Sequence, residues 1–355
     1  MRILIDIGHP AHVHFYKNLI HDLVKKGHTL QVTARNKEVT LALLTAYGFE
    51  FFNRGDLKKS MLGKALGILS VDYFLYHIAR QFKPDLLLGV HNPYIAHIGA
   101  LIRKPSIIFT DTERVGIASW LTFPFASIIW TPACFKDKID PTKHVTFNGY
   151  KELAYLHPNN FRPDPGALGR AGIVKGEKFI IIRFISWGAS HDVNLHGISE
   201  EGIDHFIQTL ERYGKILISS ERPLQGDLEK YRLMIKPEDL HSLLYYADLY
   251  IGEGGTMATE AAILGTPAIH IESTTGGVAS GSFSGNYLEL KYKYDLLDFY
   301  PDEKKALEKA ITILTNPHAK EDWLRKRDLL IADKIDVTAW MVDFIEKYPK
   351  CKSQE

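Results

Sequence analysis

The chain has 355 residues, 45% of them hydrophobic, and its 43 basic and 42 acidic side chains give a formal charge of +1. That length exceeds one typical core and predicts about two domains, while the near-neutral balance excludes a general electrostatic footprint for nucleic acid, so no nucleic-acid partner is expected. The two cysteines, Cys134 and Cys351, fit no metal or disulfide pattern, and the first residues already read as a strand, leaving no room for a signal peptide; the expected setting is cytoplasmic.

RILIDIG opens as a strand, and a helix follows over residues 10–26, where Phe15, Leu19, Ile20, Leu23 and Val24 form one apolar stripe. The connecting loop is IGHPAHVHF. Gly8 closes the strand, Pro10 suits a first helical position, and His9, His12 and His14 surround the helix start. His9 and His12 can share a face, whereas His14 points elsewhere. Near a positive helix end the proton is disfavoured, so a histidine here is neutral at pH 7 and able to act as a base. Three readings stand: base or substrate ligand, metal ligand, or structural histidine. No acidic or cysteine partner at metal spacing accompanies the cluster.

TLQVTAR, FEFFNRG, DLLLGV, PSIIFTD, SIIWTP and HVTFNGY continue the strand series, with helices between them, which predicts a mostly parallel sheet covered on both faces. Residues 115–135 carry no charge and are nominally long enough to span a bilayer, but Pro124 and Pro132 interrupt them; a buried helix followed by a short strand is expected. Residues 61–83 and 117–130 either pack on the first sheet or form a surface for a lipid-linked acceptor, which leaves peripheral contact with the inner face of the membrane open. The proline- and glycine-rich segment 157–169 is the expected linker.

A second alternating series follows: FIIIRFI, a helix near 200–213, KILISS, YRLMIK, a helix near 237–246, ADLYIGE and PAIHI, then helical pieces over 306–314, 322–333 and 338–347. The expected domains are 1–160 and 161–330, with a tail over 331–355 that packs toward the first. Two such domains leave a cleft at which strand carboxyl ends face a ligand. IIRFISWGASHDVNLHG places Ser186, backbone N–H groups and His191 at the edge of the second sheet, while Arg183 lies within the strand and is open to an ion-pair role instead. Asn286, in SGSFSGNYLEL, sits on a loop of small residues that suits close approach to a sugar.

The most telling stretch is ADLYIGEGGTMATEAAILGTPAIHI. A strand ends at Gly252, Gly254 and Gly255 allow a close backbone turn, Thr256 stands where an N-cap belongs, and the helix stops at Gly265 and Pro267. A helix starting on a glycine turn presents free N–H groups and a positive dipole end, a seat for a diphosphate. Glu260, one turn inside, is too far along to cap it. A carboxylate there accepts two hydrogen bonds from a vicinal diol such as ribose; a dipole-complementing acid after a plain turn is the alternative.

IKPEDLHSLLYYADLYIGEGGTMATEAAILGTPAI resembles the donor-binding signature of GT-B type glycosyltransferases and of the non-hydrolysing nucleotide-sugar 2-epimerases that share their fold. With IDIGHPAHVHFYKNLI and RFISWGASHDV it resembles, over nearly the whole chain, a prokaryotic glycosyltransferase-like family of unknown function. The resemblance implies an α/β fold of the GT-B type, two Rossmann-like doubly wound parallel-sheet domains facing a cleft with a C-terminal helix crossing back to the first. It implies that Gly254, Gly255 and Thr256 contact a diphosphate, that Glu260 holds ribose, and that residues 233–237 face the base. A nucleotide-diphosphate sugar, UDP-sugar favoured, is then a substrate, and no tightly bound cofactor or metal is expected because no D-x-D motif occurs. GHPAH resembles the first loop of lipid-linked N-acetylglucosamine transferases, and Asn286 falls near their sugar-contacting asparagine. Compared with the epimerases, Glu113 and His191 occupy similar places, but a Gly-Asp pair is replaced by His91-Asn92. The leading expectation is a metal-independent glycosyltransferase in glycan or cell-envelope synthesis, with a glycan or lipid-linked acceptor. His12 or His9 is its expected base, and Asp111 and Glu113 are the carboxylate alternatives. A 2-epimerase and a non-catalytic sugar-nucleotide-binding protein are the other readings.

Overall fold

Short runs of Ile, Leu, Val and Phe form strands buried on both faces, as parallel sheets covered by helices require. The computed structural model describes residues 1–56, 61–113, 116–185, 195–198, 200–224, 226–274 and 276–351. The chain divides into two units, Met1–Asn160 with Ile335–Glu355, and Phe161–Lys334.

In the first unit the strands are β1 (Arg2–Ile7), β2 (Thr29–Ala34), β3 (Phe51–Asn53), β4 (Leu86–Val90), β5 (Ser106–Phe109), β6 (Ile128–Pro132) and β7 (His144–Phe147). Their order is β3-β2-β1-β4-β5-β6-β7, with every pair parallel. The helices are α1 (Pro10–Lys25), α2 (Thr40–Ala46), α3 (Met61–Phe82), α4 (Pro93–Ile102), α5 (Gly116–Thr122) and α6 (Leu153–Leu156). The chain leaves β1 toward β2 but leaves β4 toward β5, so strand order reverses between β1 and β4. A crevice opens at such a reversal outside the strand carboxyl ends, here at Gly8 and His91-Asn92.

The helix Val337–Cys351 completes this unit. Trp340 and Phe344 each stand 5.1 Å from the Trp130 ring, and Trp340 lies 4.7 Å from Phe147. Aromatic pairs of this kind contribute about 0.5–1.5 kcal/mol beyond their buried area. Ile335 N–H donates to the Asn148 carbonyl at 3.0 Å and Thr338 Oγ1 to the Ala154 carbonyl at 2.7 Å, which fixes where the segment rejoins.

In the second unit the strands are β8 (Phe179–Phe184), β9 (Leu195–His196), β10 (Lys215–Ser220), β11 (Leu249–Gly252), β12 (Ala268–Ile271), β13 (Ser273–Thr274) and β14 (Leu297–Tyr300). Five form a parallel sheet in the order β10-β8-β11-β12-β14, and β9 pairs antiparallel with β13. The helices are α7 (Gly166–Arg170), α8 (Glu200–Leu210), α9 (Leu240–Tyr246), α10 (Gly255–Leu264), α11 (Gly285–Tyr292), α12 (Glu303–Thr315) and α13 (Ala319–Asp333). Here the order reverses between β8 and β11, so the loops after those two strands flank the crevice.

Two expectations fail locally. YRLMIK is not a strand: it touches the sheet only through a bridge between Ile218 and Arg232, and Met234 is 75% exposed, so no apolar face holds it down. The helix after residue 115 is not a buried helix: α5 exposes Ile117 at 78% and Trp120 at 74%, and only Thr122 at its end is buried. Among the described residues no helix is long and apolar enough to cross a membrane.

Candidate functional site

In the second unit the crevice is built by backbone. Gly252 has φ +149°, and a Cβ there would strike the Arg183 carbonyl, so only glycine allows β11 to end against β8. Gly254, at φ +85°, is the N-cap residue and makes no side-chain cap; α10 begins at Gly255. Thr256 therefore lies inside the first turn and is not the expected cap, because the left-handed conformation that ends the turn falls at Gly254. A Cβ on Gly255 would strike the Tyr287 hydroxyl, which stands over the helix start. The first N–H groups of α10, for which the N-cap Gly254 supplies no side-chain acceptor, present the positive end of the helix dipole.

Glu260 is buried, and His241 Nε2 lies 3.1 Å from its Oε1. The carboxylate is therefore held against α9, and His241 joins the candidate site from a segment that the resemblance covers without giving the histidine a role. Asn286 is buried in the first turn of α11, beside Tyr287. The Tyr287 ring meets His270 edge-on at 5.1 Å. Among the described residues neither ring nitrogen of His270 has a hydrogen-bond partner, Glu272 Oε2 stops 3.7 Å away, and burial pushes the imidazole down to about 4.

Glu253, between the two glycine positions, is fully buried and accepts the N–H groups of Ile185 and Ile198, each at 2.9 Å. Burial pushes its carboxyl up; those two N–H bonds, then Arg222 and Arg183, oppose the rise. Arg183 takes the ion-pair role, donating to Ser219 Oγ at 2.8 Å and pairing with Glu221. Ser186 and His191 lie outside the described residues.

In the first unit a buried carboxylate organises the crevice. Asp6 accepts from Thr33 Oγ1 at 2.7 Å, Arg54 Nε at 2.9 Å and Asn92 Nδ2 at 2.6 Å, which joins β1, β2 and the segments after β3 and β4. Asn92 also caps α4, its Oδ1 accepting from Ile95 N–H at 3.1 Å. Beside it His91, at φ +42°, places Nδ1 2.8 Å from Thr110 Oγ1.

His9 is the N-cap of α1, its Nδ1 accepting from Ala11 N–H at 3.2 Å, and His12 Nδ1 accepts from Gly8 N–H at 3.3 Å. The two rings stand 5.8 Å apart. Burial, then His9, Lys151, Lys37 and Arg54, hold His12 well below the usual imidazole range, so it is neutral at pH 7. A backbone N–H can only donate, so Nδ1 is the accepting atom of each ring and neutral His12 keeps its proton on Nε2. A bare Nε2 would set Nδ1–H against N–H, so this geometry favours a donor role over a base role for both rings. His14 is buried away from it, between Tyr47 and Tyr155.

Asp111 accepts from Lys151 Nζ at 2.9 Å, and Lys151 also stands 3.5 Å from Glu152. Lys151 thus lies between the histidine loop and the loop after β5, where Glu113 is half-buried. It was not legible from GYKELAYL, which has no motif around the lysine. Among the described residues no group of three His, Cys, Asp or Glu side chains is placed to hold a metal.

Two parallel-sheet α/β units, each with helix-starting loops at its strand-order reversal, define a protein of the GT-B fold. A UDP-N-acetylglucosamine 2-epimerase from Neisseria meningitidis, bound to UDP-N-acetylglucosamine, matches with a TM-score of 0.70 at 14% identity, over 98% of this chain and 100% of that one. A spinosyn rhamnosyltransferase complexed with spinosyn aglycone matches with a TM-score of 0.61 at 14% identity, over 98% and 100%. By sequence the chain belongs to the family described as a protein of unknown function, DUF354, whose model matches residues 1–276. An uncharacterized protein of Methanocaldococcus jannaschii is 25% identical over 75% of this chain and 80% of its own length.

Proposed function

We propose that this protein is a glycosyltransferase that moves a sugar from a nucleoside diphosphate sugar, UDP-linked in the favoured case, to a hydroxyl acceptor. The observation that carries the nucleotide half is the start of α10 on the Gly254-Gly255 turn, where the N-cap residue is a glycine, with the buried Glu260 one turn behind it. In this reading the backbone from Gly254 to Thr256 takes the diphosphate and stabilises the charge that develops as it departs, without a metal. Glu260, oriented by His241, takes the ribose hydroxyls, and Asn286 and the loop of Ser186 and His191 take the sugar. In the first unit His9 and His12 orient the acceptor through Nε2–H, and Asp111 or Glu113 removes its proton.

The 2-epimerase reading rests on the TM-score of 0.70 to an epimerase and on Glu113. Asn92 weighs against it. Where the epimerases carry a carboxylate, this chain has an amide, and that amide is committed to Asp6 and the start of α4. Incubation with a panel of UDP-, TDP- and GDP-sugars tests both: sugar transferred only when an acceptor is added supports the transferase, and an isomerised sugar without acceptor overturns it. A lipid-linked acceptor is the finer reading, supported by Ile117 and Trp120 on α5, aromatic and aliphatic surface of the kind that enters a bilayer interface. Flotation with anionic liposomes checks it; protein remaining at the bottom of the gradient removes the lipid surface from the proposal.

A further inference from the structure

Gly252 and Gly254 place the diphosphate seat on backbone with positive φ and no side chains of its own, which is soft unless something else holds it. Glu253 is what lies between them. Its N–H donates to the Arg183 carbonyl at 2.9 Å, its carbonyl accepts the Tyr250 hydroxyl at 3.0 Å, and its carboxylate spans Ile185 N–H, just past β8, and Ile198 N–H, just before α8. A carboxylate beside a diphosphate would ordinarily repel it. Here the group is fully buried, turned onto two inward N–H donors and opposed by Arg183 and Arg222. Ile185 in turn reaches the turn itself: a Cβ on Gly254 would lie 2.9 Å from Ile185 Cγ2, so a shift of Ile185 moves the neighbour against which Gly254 is set.

We propose that Glu253 is the positioning residue of the nucleotide site, a two-armed clamp that holds the end of β8 and the start of α8 to the glycine turn and so presets the N–H groups that receive the diphosphate. The proposal rests on the nucleotide-sugar reading of α10. A carboxylate is the side chain suited to this, since it accepts at both oxygens with charge-assisted strength, whereas the amide of glutamine offers one acceptor and sets an NH2 group against the second N–H.

The test is Glu253→Gln in the full chain, compared with wild type by backbone amide NMR at Ile185 and Ile198 and by UDP-N-acetylglucosamine binding in a calorimeter. The expected result is that at least one of the two amides shifts upfield and exchanges about tenfold faster or more, and that the dissociation constant rises about tenfold, the scale of one lost charged hydrogen bond. Glu253→Asp keeps the charge but is too short to reach both amides, and the same two readouts on it decide the matter where Glu253→Gln does not fold. Both amides retaining wild-type shifts and exchange overturns the clamp. Released amides with unchanged affinity overturn the positioning role and leave the nucleotide reading standing. Wild-type protein that binds no UDP-, TDP- or GDP-sugar overturns that reading, and the positioning role falls with it while the amide result still reports on the clamp.

Discussion

His270 gives the second unit a built-in acid sensitivity whose size follows from its burial. The ring is 2% exposed, lacks a hydrogen-bond partner at either nitrogen among the described residues, and is pushed from 6.5 down to about 4 because burial strips the water an imidazolium would need. Below about pH 4 the folded and unfolded chains both hold the proton, and above 6.5 neither does. Between those values the unfolded chain binds a proton that the folded chain refuses, so stability rises with pH across that window and is lost as the solution is acidified. At about 1.4 kcal/mol per pH unit, this one residue contributes a rise of about 3 kcal/mol. Replacing it by His270→Leu, close in volume and unable to titrate, removes that rise. At neutral pH the variant is at least as stable as wild type, since an unpaired buried N–H disappears with the ring. Urea unfolding of both proteins between about pH 4 and 7 measures the difference curve, in which every other titrating group cancels. Parallel stability curves for the two proteins would refute the reasoning, because they would mean that His270 binds its proton equally well folded and unfolded.

Gly255→Ala drives a Cβ into the Tyr287 hydroxyl, an overpacking worth about 1–3 kcal/mol, and is expected to weaken UDP-N-acetylglucosamine binding by about tenfold. Adding Tyr287→Phe removes the obstructing oxygen and recovers part of the affinity in the same calorimetric assay. Asp6→Ala leaves Arg54 buried without its carboxylate and is expected to destabilise the first unit by about 3–5 kcal/mol in urea unfolding, with Asp6→Asn losing less. Lys320 donates to the carbonyls of Tyr245 and Ala247 and to Thr266 Oγ1, and burial pushes its ammonium down to about 7. The unfolded lysine stays protonated to about 10.5, so wild-type stability rises between about pH 7 and 10. Lys320→Met is expected to flatten that rise in thermal melts.

Much of the fold was legible because it is local. Continuous apolar runs mark β1 and β8, a helix-spaced stripe marks α1, and helix formers between a glycine turn and a glycine stop mark α10, while Gly252, Gly254 and Gly265 announce backbone conformations that few other residues adopt. The misses have physical causes. Thr256 is a good cap by type, but the cap falls where the left-handed turn ends, at Gly254. YRLMIK has strand-like composition without a neighbouring strand to bury it, and α5 is apolar without being covered.

The chain's own pattern determined the alternation of strands and helices, the glycine turn before α10 and the histidines around the start of α1, since each depends on residues adjacent in sequence. Tertiary structure alone decided which polar groups meet. Asp6 gathers Thr33, Arg54 and Asn92, Glu260 finds His241, Lys151 reaches Asp111, and Glu253 takes the amides of Ile185 and Ile198. Those partners lie far apart in the chain and are brought together by the packing of strands, helices and the loops between them. A backbone N–H leaves no trace in the identity of its residue. Which ring nitrogen of His9 and His12 accepts was decided the same way, by main-chain donors that the side-chain pattern does not encode.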